Sequence, residues 1–139
     1  MATLYAFLNP EPAATTKEVI VSERFKDESG KVVPFIIKTI SQDLNNQLNR
    51  QATVKKMVRG QNVEMFDTAA YTNKLIVACT VQPDFKAEDL CKAYGTFDAE
   101  EVPAKMLLPG EFAALSDAIL KLNGFDTTSV PELEDEAKN

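Results

Sequence analysis

Two kinds of hydrophobic periodicity follow one another along the chain. Over residues 19–25, apolar and β-branched residues alternate with polar ones, and a second β-branched run covers residues 32–40. The polar segment between these runs, residues 26–31, includes Gly30, which tolerates the positive φ of a turn. We therefore predict a β-hairpin, and Pro34 near the start of the second run favours an edge position for that strand.

Helical spacing begins directly after the predicted hairpin. Ser41 is a suitable N-cap, and Asp43 complements the helix dipole in the first turn. Leu44, Leu48 and Ala52 then follow at the interval that places side chains on one face of a helix. These residues predict a helix that runs through residue 51, and the pattern is broken at residues 60–62.

Further helical segments are predicted in the second half of the chain. Asp67 or the residue after it caps one helix, which Pro83 ends. Residues 86–94 and 99–106 form short helices, and the last helix starts at Pro109. An apolar stripe follows the last helix at Phe112, Leu115, Ile119 and Leu122. Together the patterns predict an α+β fold, with an N-terminal β-hairpin followed by a mostly α-helical domain of four or five helices.

The two ends of the chain differ from its middle. Residues 1–16 contain two closely spaced prolines after an apolar cluster, and we interpret them as a flexible arm. Residues 17–125 form a single globular domain in this interpretation, and the acidic residues 126–139 form a disordered tail. Because apolar side chains are out of place on a solvated arm, we expect them to mediate self-association into a homo-oligomer. These side chains belong to Leu4, Tyr5, Phe7 and Leu8.

The residue types present argue against catalysis. The chain has no histidine, which is the commonest general base and metal ligand. Cys79 and Cys91 lie apart in apolar surroundings without the spacing of a zinc site, so we predict buried, reduced thiols. Adjacent acidic residues, as at 88–89 and 100–101, are typical of solvated faces. We therefore predict a non-enzymatic protein without catalytic, cofactor-binding or metal-binding residues.

The distribution of charge favours protein partners. The formal net charge of −6 opposes binding to nucleic-acid backbones and anionic membranes. One stretch is locally basic, and its cations are Arg50, Lys55, Lys56 and Arg59. This stretch is open to three interpretations: a nucleic-acid contact, a solvated helix face, or a basic face that binds an acidic protein segment. Nucleic acid is the least favoured partner, because no aromatic residues alternate with the cations.

Two blocks of the sequence carry a resemblance to a known family. The first covers residues 22–31, SERFKDESGK, and residues 34–41, PFIIKTIS. The second covers residues 83–85, PDF, 90–95, LCKAYG, 106–112, MLLPGEF, and 122–125, LNGF. In this order the blocks resemble the XkdN-like tail assembly chaperones of phages and prophages of Gram-positive bacteria. The similarity extends from about residue 17 to residue 126, which spans the predicted globular domain.

The resemblance implies a place in phage tail assembly. It implies a non-catalytic chaperone of the host cytoplasm that binds the tape-measure protein, keeps it soluble until tube subunits displace it, and is absent from the mature virion. It also implies a longer, frameshifted form whose extension contacts the tail tube protein. Residues 137–139, Ala-Lys-Asn, can be encoded by a slippery sequence or be an ordinary chain end. Two alternatives stay open: a nucleic-acid-associated phage accessory protein, and a structural tail component retained in the virion.

Overall fold

The computed structural model of the chain describes residues 2–11 and 15–125. The helices of this part are α1 Ala2–Leu8, α2 Gln42–Gln51, α3 Thr68–Cys79, α4 Glu88–Ala93, α5 Val102–Met106 and α6 Pro109–Leu122, with a 3-10 turn at Ala99–Glu101. The strands are β1 Thr16–Val19, β2 Phe35–Lys38, β3 Thr53–Val58, β4 Gln61–Phe66 and β5 Thr80–Gln82. The predicted α+β fold, with an N-terminal hairpin followed by helices, is confirmed.

The N-terminal hairpin belongs to a three-stranded antiparallel sheet with the order β1-β2-β5. Thr16 pairs with Lys38 and Val19 with Phe35, which fixes the register of β1 against β2. The predicted edge position of the second strand is therefore wrong, because β5 pairs with the other side of β2. Pro34 does not interrupt the ladder, since it lies just before the strand.

The first predicted strand is wrong beyond Val19. Residues 20–34 leave the sheet as an excursion whose tip is a small turn, closed by a bridge between Lys26 and Val32. Gly30 has a φ of 87° in this turn, as predicted. Side chains of the excursion still hold it to the body, because the Phe25 ring lies 5.5 Å from the Phe35 ring of β2 and Arg24 reaches Glu111 on α6.

Helix α6 packs against β1 and β2, and α3 packs against α2, α5 and α6. Side chains of β2, α3 and α6 form the centre of the core, where Ile37, Ile76, Leu115 and Ile119 are fully buried. Asp67 caps α3, because its carboxylate accepts a hydrogen bond from the Ala70 N–H. The burial of Leu115 and Ile119 confirms the predicted core-facing stripe of α6, and Phe112 and Leu122 pack at its margins.

Two segments that the sequence pattern allows to be helical form strands instead. The helix expected to run to Pro83 ends at Cys79, where the chain becomes extended as β5 and pairs with β2. The locally basic stretch is not a helix face, because residues 53–66 form the antiparallel pair β3-β4. In both places the backbone gains interstrand hydrogen bonds instead of continuing a helical repeat.

The two thiols are buried, as predicted. The Cys79 side chain is fully buried, and burial raises the pKa of its thiol to about 11. Cys91 Sγ donates to the Phe85 carbonyl oxygen at 3.3 Å. Both are free cysteines. Among the described residues no helix is long and apolar enough to cross a membrane.

Candidate protein-binding surface

A β-hairpin projects from the helical body. Its strands, β3 and β4, pair with each other along six positions, and both lie almost wholly exposed. At about 3.3 Å per residue, the ribbon is roughly 20 Å long. A two-stranded ribbon of this kind is marginally stable on its own in water, so its base must hold it to the body.

The base of the hairpin is anchored at the end of α2. Ala52, between α2 and β3, is almost completely buried, and its carbonyl oxygen accepts the Asp67 N–H at 2.9 Å. The Thr53 hydroxyl donates to the Asn49 carbonyl oxygen at 2.8 Å. On the other strand, the Phe66 ring lies 5.6 Å from the Tyr71 ring on α3. These contacts fix the direction in which the ribbon leaves the body.

A tight turn closes the far end of the hairpin. Arg59 and Gly60 form a two-residue loop between paired Val58 and Gln61, with φ values of 52° and 79°. Positive φ at both central residues is the geometry that matches the twist of antiparallel strands. Arginine is rarely found at positive φ, which explains why the sequence signals the turn only weakly.

The two faces of the ribbon differ in character. Cross-strand partners share a face, so Val54 and Met65 lie beside each other, as do Lys56 and Val63. Val58 continues the same face towards the turn. The apolar members of this face are Val54, Val58, Val63 and Met65, each 38–46% exposed. We call these four residues together with Lys56 the hairpin apolar face.

The opposite face is more polar. Lys55 lies across from Glu64, and Met57 lies across from Asn62 near the turn. Phe66, at the base, is turned towards Tyr71. An exposed surface in which four apolar side chains adjoin on one side of a ribbon is typical of a protein-binding site rather than of a solvated strand pair.

The four predicted basic residues do not share one face. Arg50 is exposed near the end of α2, and Arg59 is in the turn. Lys55 and Lys56 are neighbours in β3 and therefore project to opposite sides of the ribbon. The structure thus disperses the cations around the hairpin, and only Lys56 belongs to the hairpin apolar face.

The predicted self-association residues lie on α1. Leu4, Tyr5, Phe7 and Leu8 are 58–77% exposed, so the described part of the chain leaves them largely uncovered. Their spacing of three and four residues places them on one side of the helix. Asn9 ends the helix by donating its backbone N–H to the Tyr5 carbonyl oxygen at 2.9 Å.

The acidic pairs weighed as candidate chemistry are engaged structurally. Glu88 forms an exposed ion pair with Lys92 at 3.1 Å, and Glu100 forms one with Lys74 at 2.9 Å. Glu101 accepts a hydrogen bond from the Thr96 hydroxyl at 2.6 Å. Within residues 2–11 and 15–125, no group of three histidine, cysteine or acidic residues could hold a metal ion.

Sequence reasoning missed the hairpin apolar face. Its signal was present, since Val54 and Val58 alternate with polar residues before Gly60, and Val63 and Met65 alternate after it. From the sequence we predict the preceding helix through residue 51, where α2 ends, but no strand pair over residues 53–66. The face became apparent only once the register of β3 against β4 was known.

Comparison with known proteins places this architecture in a family. A chain of Bacillus subtilis strain 168, the uncharacterized protein YqbN, is 39% identical over 124 residues, which cover 88% of this chain and 83% of YqbN. The phage-like element PBSX protein XkdN of the same organism is 36% identical over 124 residues, with the same coverage. The crystal structure of YqbN superposes with a TM-score of 0.73 at 35% identity, and covers 87% of this chain and 96% of that chain.

The family model agrees with these relatives. The model described as phage XkdN-like tail assembly chaperone protein matches residues 4–138, a range that includes both the hairpin apolar face and the apolar residues of α1. The chain belongs to the phage XkdN-like tail assembly chaperone family.

Proposed function

We propose that this protein binds the tape-measure protein through the hairpin apolar face and keeps it soluble while the tail tube assembles. The observation that carries the proposal is the exposure of Val54, Val58, Val63 and Met65 on one side of a projecting ribbon. Membership of a tail assembly chaperone family supports a protein ligand that would aggregate when left uncovered.

The shape of the ribbon suits reversible binding to a long partner. A ribbon roughly 20 Å long offers a shallow surface, so each copy covers only a short apolar segment of the partner. Many copies along one partner then gain strength through multivalency, while each single contact stays weak enough to be displaced. Lys56 adds a cation to the apolar face, which favours segments that carry acidic residues beside apolar ones.

The proposal includes a non-catalytic role in the host cytoplasm. The protein would leave when tail tube protein replaces it and would be absent from the mature virion. A longer, frameshifted form would bring the tail tube protein to the complex. Mass spectrometry of purified particles tests whether the protein is absent from the mature virion. The particles should contain tape-measure protein without this chain, and stoichiometric retention of this chain would identify a structural tail component instead.

Co-purification with the tape-measure protein is the direct test. The variant Val63→Lys places a charge on the hairpin apolar face, whereas Asn62→Lys places the same charge on the neighbouring residue of the opposite face. Both positions are exposed, so neither change should unfold the body. Co-expressed tape-measure protein should remain soluble with wild-type protein and Asn62→Lys, and should precipitate with Val63→Lys. Equal solubility with both variants would contradict the proposal.

A further inference from the structure

The outer surface of the helical body has an apolar groove that no described residue fills. It has a volume of about 420 Å³ and lies between α2, α3 and α6. Tyr71 and Leu75 line it from α3, and Leu120 lines it from α6. Phe66, just before α3, and Phe125, just after α6, also line it. The groove is distinct from the hairpin apolar face. Of its aromatic residues only Phe66 belongs to the ribbon, and Phe66 lies on the opposite face of the ribbon from Val54 and Met65.

Three hydroxyl groups of the groove already donate hydrogen bonds within the body. The Thr72 hydroxyl donates to the Thr68 carbonyl oxygen at 2.9 Å, and the Ser116 hydroxyl donates to the Ala113 carbonyl oxygen at 3.2 Å. The Tyr71 hydroxyl donates to Asn45 Oδ1. Since Thr72 and Ser116 donate within their own helices and Tyr71 donates to α2, these hydroxyl groups are engaged within the body, and the largely apolar groove selects for apolar side chains.

Charge narrows the choice of occupant. Every residue that lines the groove is uncharged, so a charged occupant would lose hydration without gaining a partner. Residues 126–139 continue from Phe125, but they carry five acidic residues and one lysine. In contrast, residues 2–8, which form α1, contain no charged residue. The two uncharged apolar surfaces of the chain match each other in chemistry.

The shape of α1 also fits a groove between helices. Phe7 lies three residues from Leu4, and Leu8 lies four residues from it, which is the spacing of anchors in a helix that binds along a groove. The seven residues of α1 span about 10 Å. Ala6 lies on the other side, so α1 presents large side chains on one side and small ones on the other.

We propose that α1 of one copy binds in the groove of a second copy. Each copy carries one donor helix and one acceptor groove, and the two are different surfaces, so the contact is head-to-tail. Such a contact repeats from copy to copy and produces rings or open chains rather than a closed pair. An array of this kind would present the projecting hairpins side by side, although the contact itself does not depend on what the hairpins bind.

Sedimentation of the full chain over a concentration series tests the donor. Phe7→Asp puts a charge on the apolar side of α1, and Ala6→Asp puts the same charge on its exposed opposite side. Wild-type protein and Ala6→Asp should form larger species as concentration rises, and Phe7→Asp should weaken self-association by at least about tenfold. Concentration-independent monomers of the wild-type protein, or equal effects of the two variants, would overturn the proposal.

Cross-linking between two singly substituted chains tests the acceptor. Thr3→Cys and Thr72→Cys place one thiol on α1, one turn before Phe7, and one in the groove, while the native thiols are buried. A mixture of the two variants should form a mixed disulfide dimer under oxidation, at least about tenfold faster than Thr3→Cys with Ser29→Cys, an exposed control on the excursion. Equal rates would place α1 elsewhere and overturn the proposal.

The same cross-link distinguishes α1 of a second copy from two other candidate occupants of the groove, which are the chain's own α1 and residues 126–139. A chain with both substitutions that closes its disulfide within itself at every concentration would show that α1 binds its own groove. A chain that ends at Phe125 and forms the mixed dimer at a much higher rate would show that residues 126–139 are the usual occupant. Either result would overturn the proposal, and an unchanged rate of mixed dimer formation supports it.

Discussion

Arg24 and Glu111 are 87 residues apart in the sequence and meet in a two-point ion pair. Arg24 Nε lies 2.8 Å from Glu111 Oε2, and Arg24 Nη2 lies 2.7 Å from Oε1. The same Nη2 donates to the Met106 carbonyl oxygen at 2.9 Å. Glu111 Oε1 also accepts the Leu108 N–H at 2.8 Å, which caps α6. One carboxylate therefore starts the last helix and holds the excursion after β1 against it.

The Arg24 pair makes stability depend on pH in a defined window. The hydrogen bond from Arg24, with those from Ser22 and the Leu108 N–H, lowers the pKa of Glu111 from 4.5 to about 2. Because the folded-state pKa is lower than the unfolded value, the ionised carboxylate stabilises the fold above 4.5, and this contribution is lost as pH falls towards about 2.

Glu111→Gln should therefore lower the melting temperature at neutral pH but have little effect near the folded-state pKa. The difference from wild type should narrow as pH falls from 4.5 to about 2, because the wild-type carboxylate becomes protonated there. Thermal unfolding followed by circular dichroism measures the difference. Asp117→Asn, at an exposed carboxylate of the same helix, is the control and should show no such narrowing. A constant difference for Glu111→Gln would contradict the assignment.

The core stripe of α6 sets a large part of the stability. Leu115 is fully buried, so Leu115→Ala should reduce the free energy of unfolding by about 2–5 kcal/mol through lost burial and a residual cavity. Denaturant titration measures this change. Ala114 is the exposed neighbour, and Ala114→Ser should stay within about 0.5 kcal/mol of wild type. Equal stability of Leu115→Ala and wild type would place the stripe outside the core.

Two glycines at opposite ends of α6 should respond in opposite ways to the same substitution. An added Cβ meets open space at both Gly110 and Gly124, but Gly124 has a φ of 90°. Gly124→Ala should destabilise the protein by about 1–2 kcal/mol, because alanine is strained in the left-handed region. Gly110→Ala, inside the helix, should be stabilising by up to about 1 kcal/mol. Denaturant titration of both variants provides the measurement, and a shared sign would contradict the backbone argument.

Neither cysteine thiol should react with a thiol reagent while the protein is folded. Cys79 is fully buried, and its raised pKa of about 11 leaves little thiolate at neutral pH. Cys91 is also buried. In an absorbance assay with a disulfide reagent, both thiols should react only after denaturation. Phe97→Cys, at a fully exposed position, provides the positive control and should react at once. Fast labelling of a native thiol would indicate opening of the core.

Several elements could be predicted because their signals are local. Pro109 and Asn123 bracket α6 in the structure, and Asp67 caps α3. The buried thiols also followed from apolar neighbours. In each case the residues that decide the structure lie within one or two helical turns of one another, so spacing alone carries the information. The sequence therefore determined the main helices, the order of hairpin and helices, and the family resemblance.

Only the tertiary structure decided which extended segments pair and what stays uncovered. Thr80 and Val81 are β-branched, but three residues are too few for a strand pattern; β5 forms because the free side of β2 provides hydrogen-bond partners. The Arg24–Glu111 pair joins the excursion after β1 to a helix 87 residues later in the chain. The hairpin apolar face depends on the register of β3 against β4, since a shift by one residue would turn Val63 to the other side. These features join residues distant in sequence, and their energies arise only when packing brings the partners together.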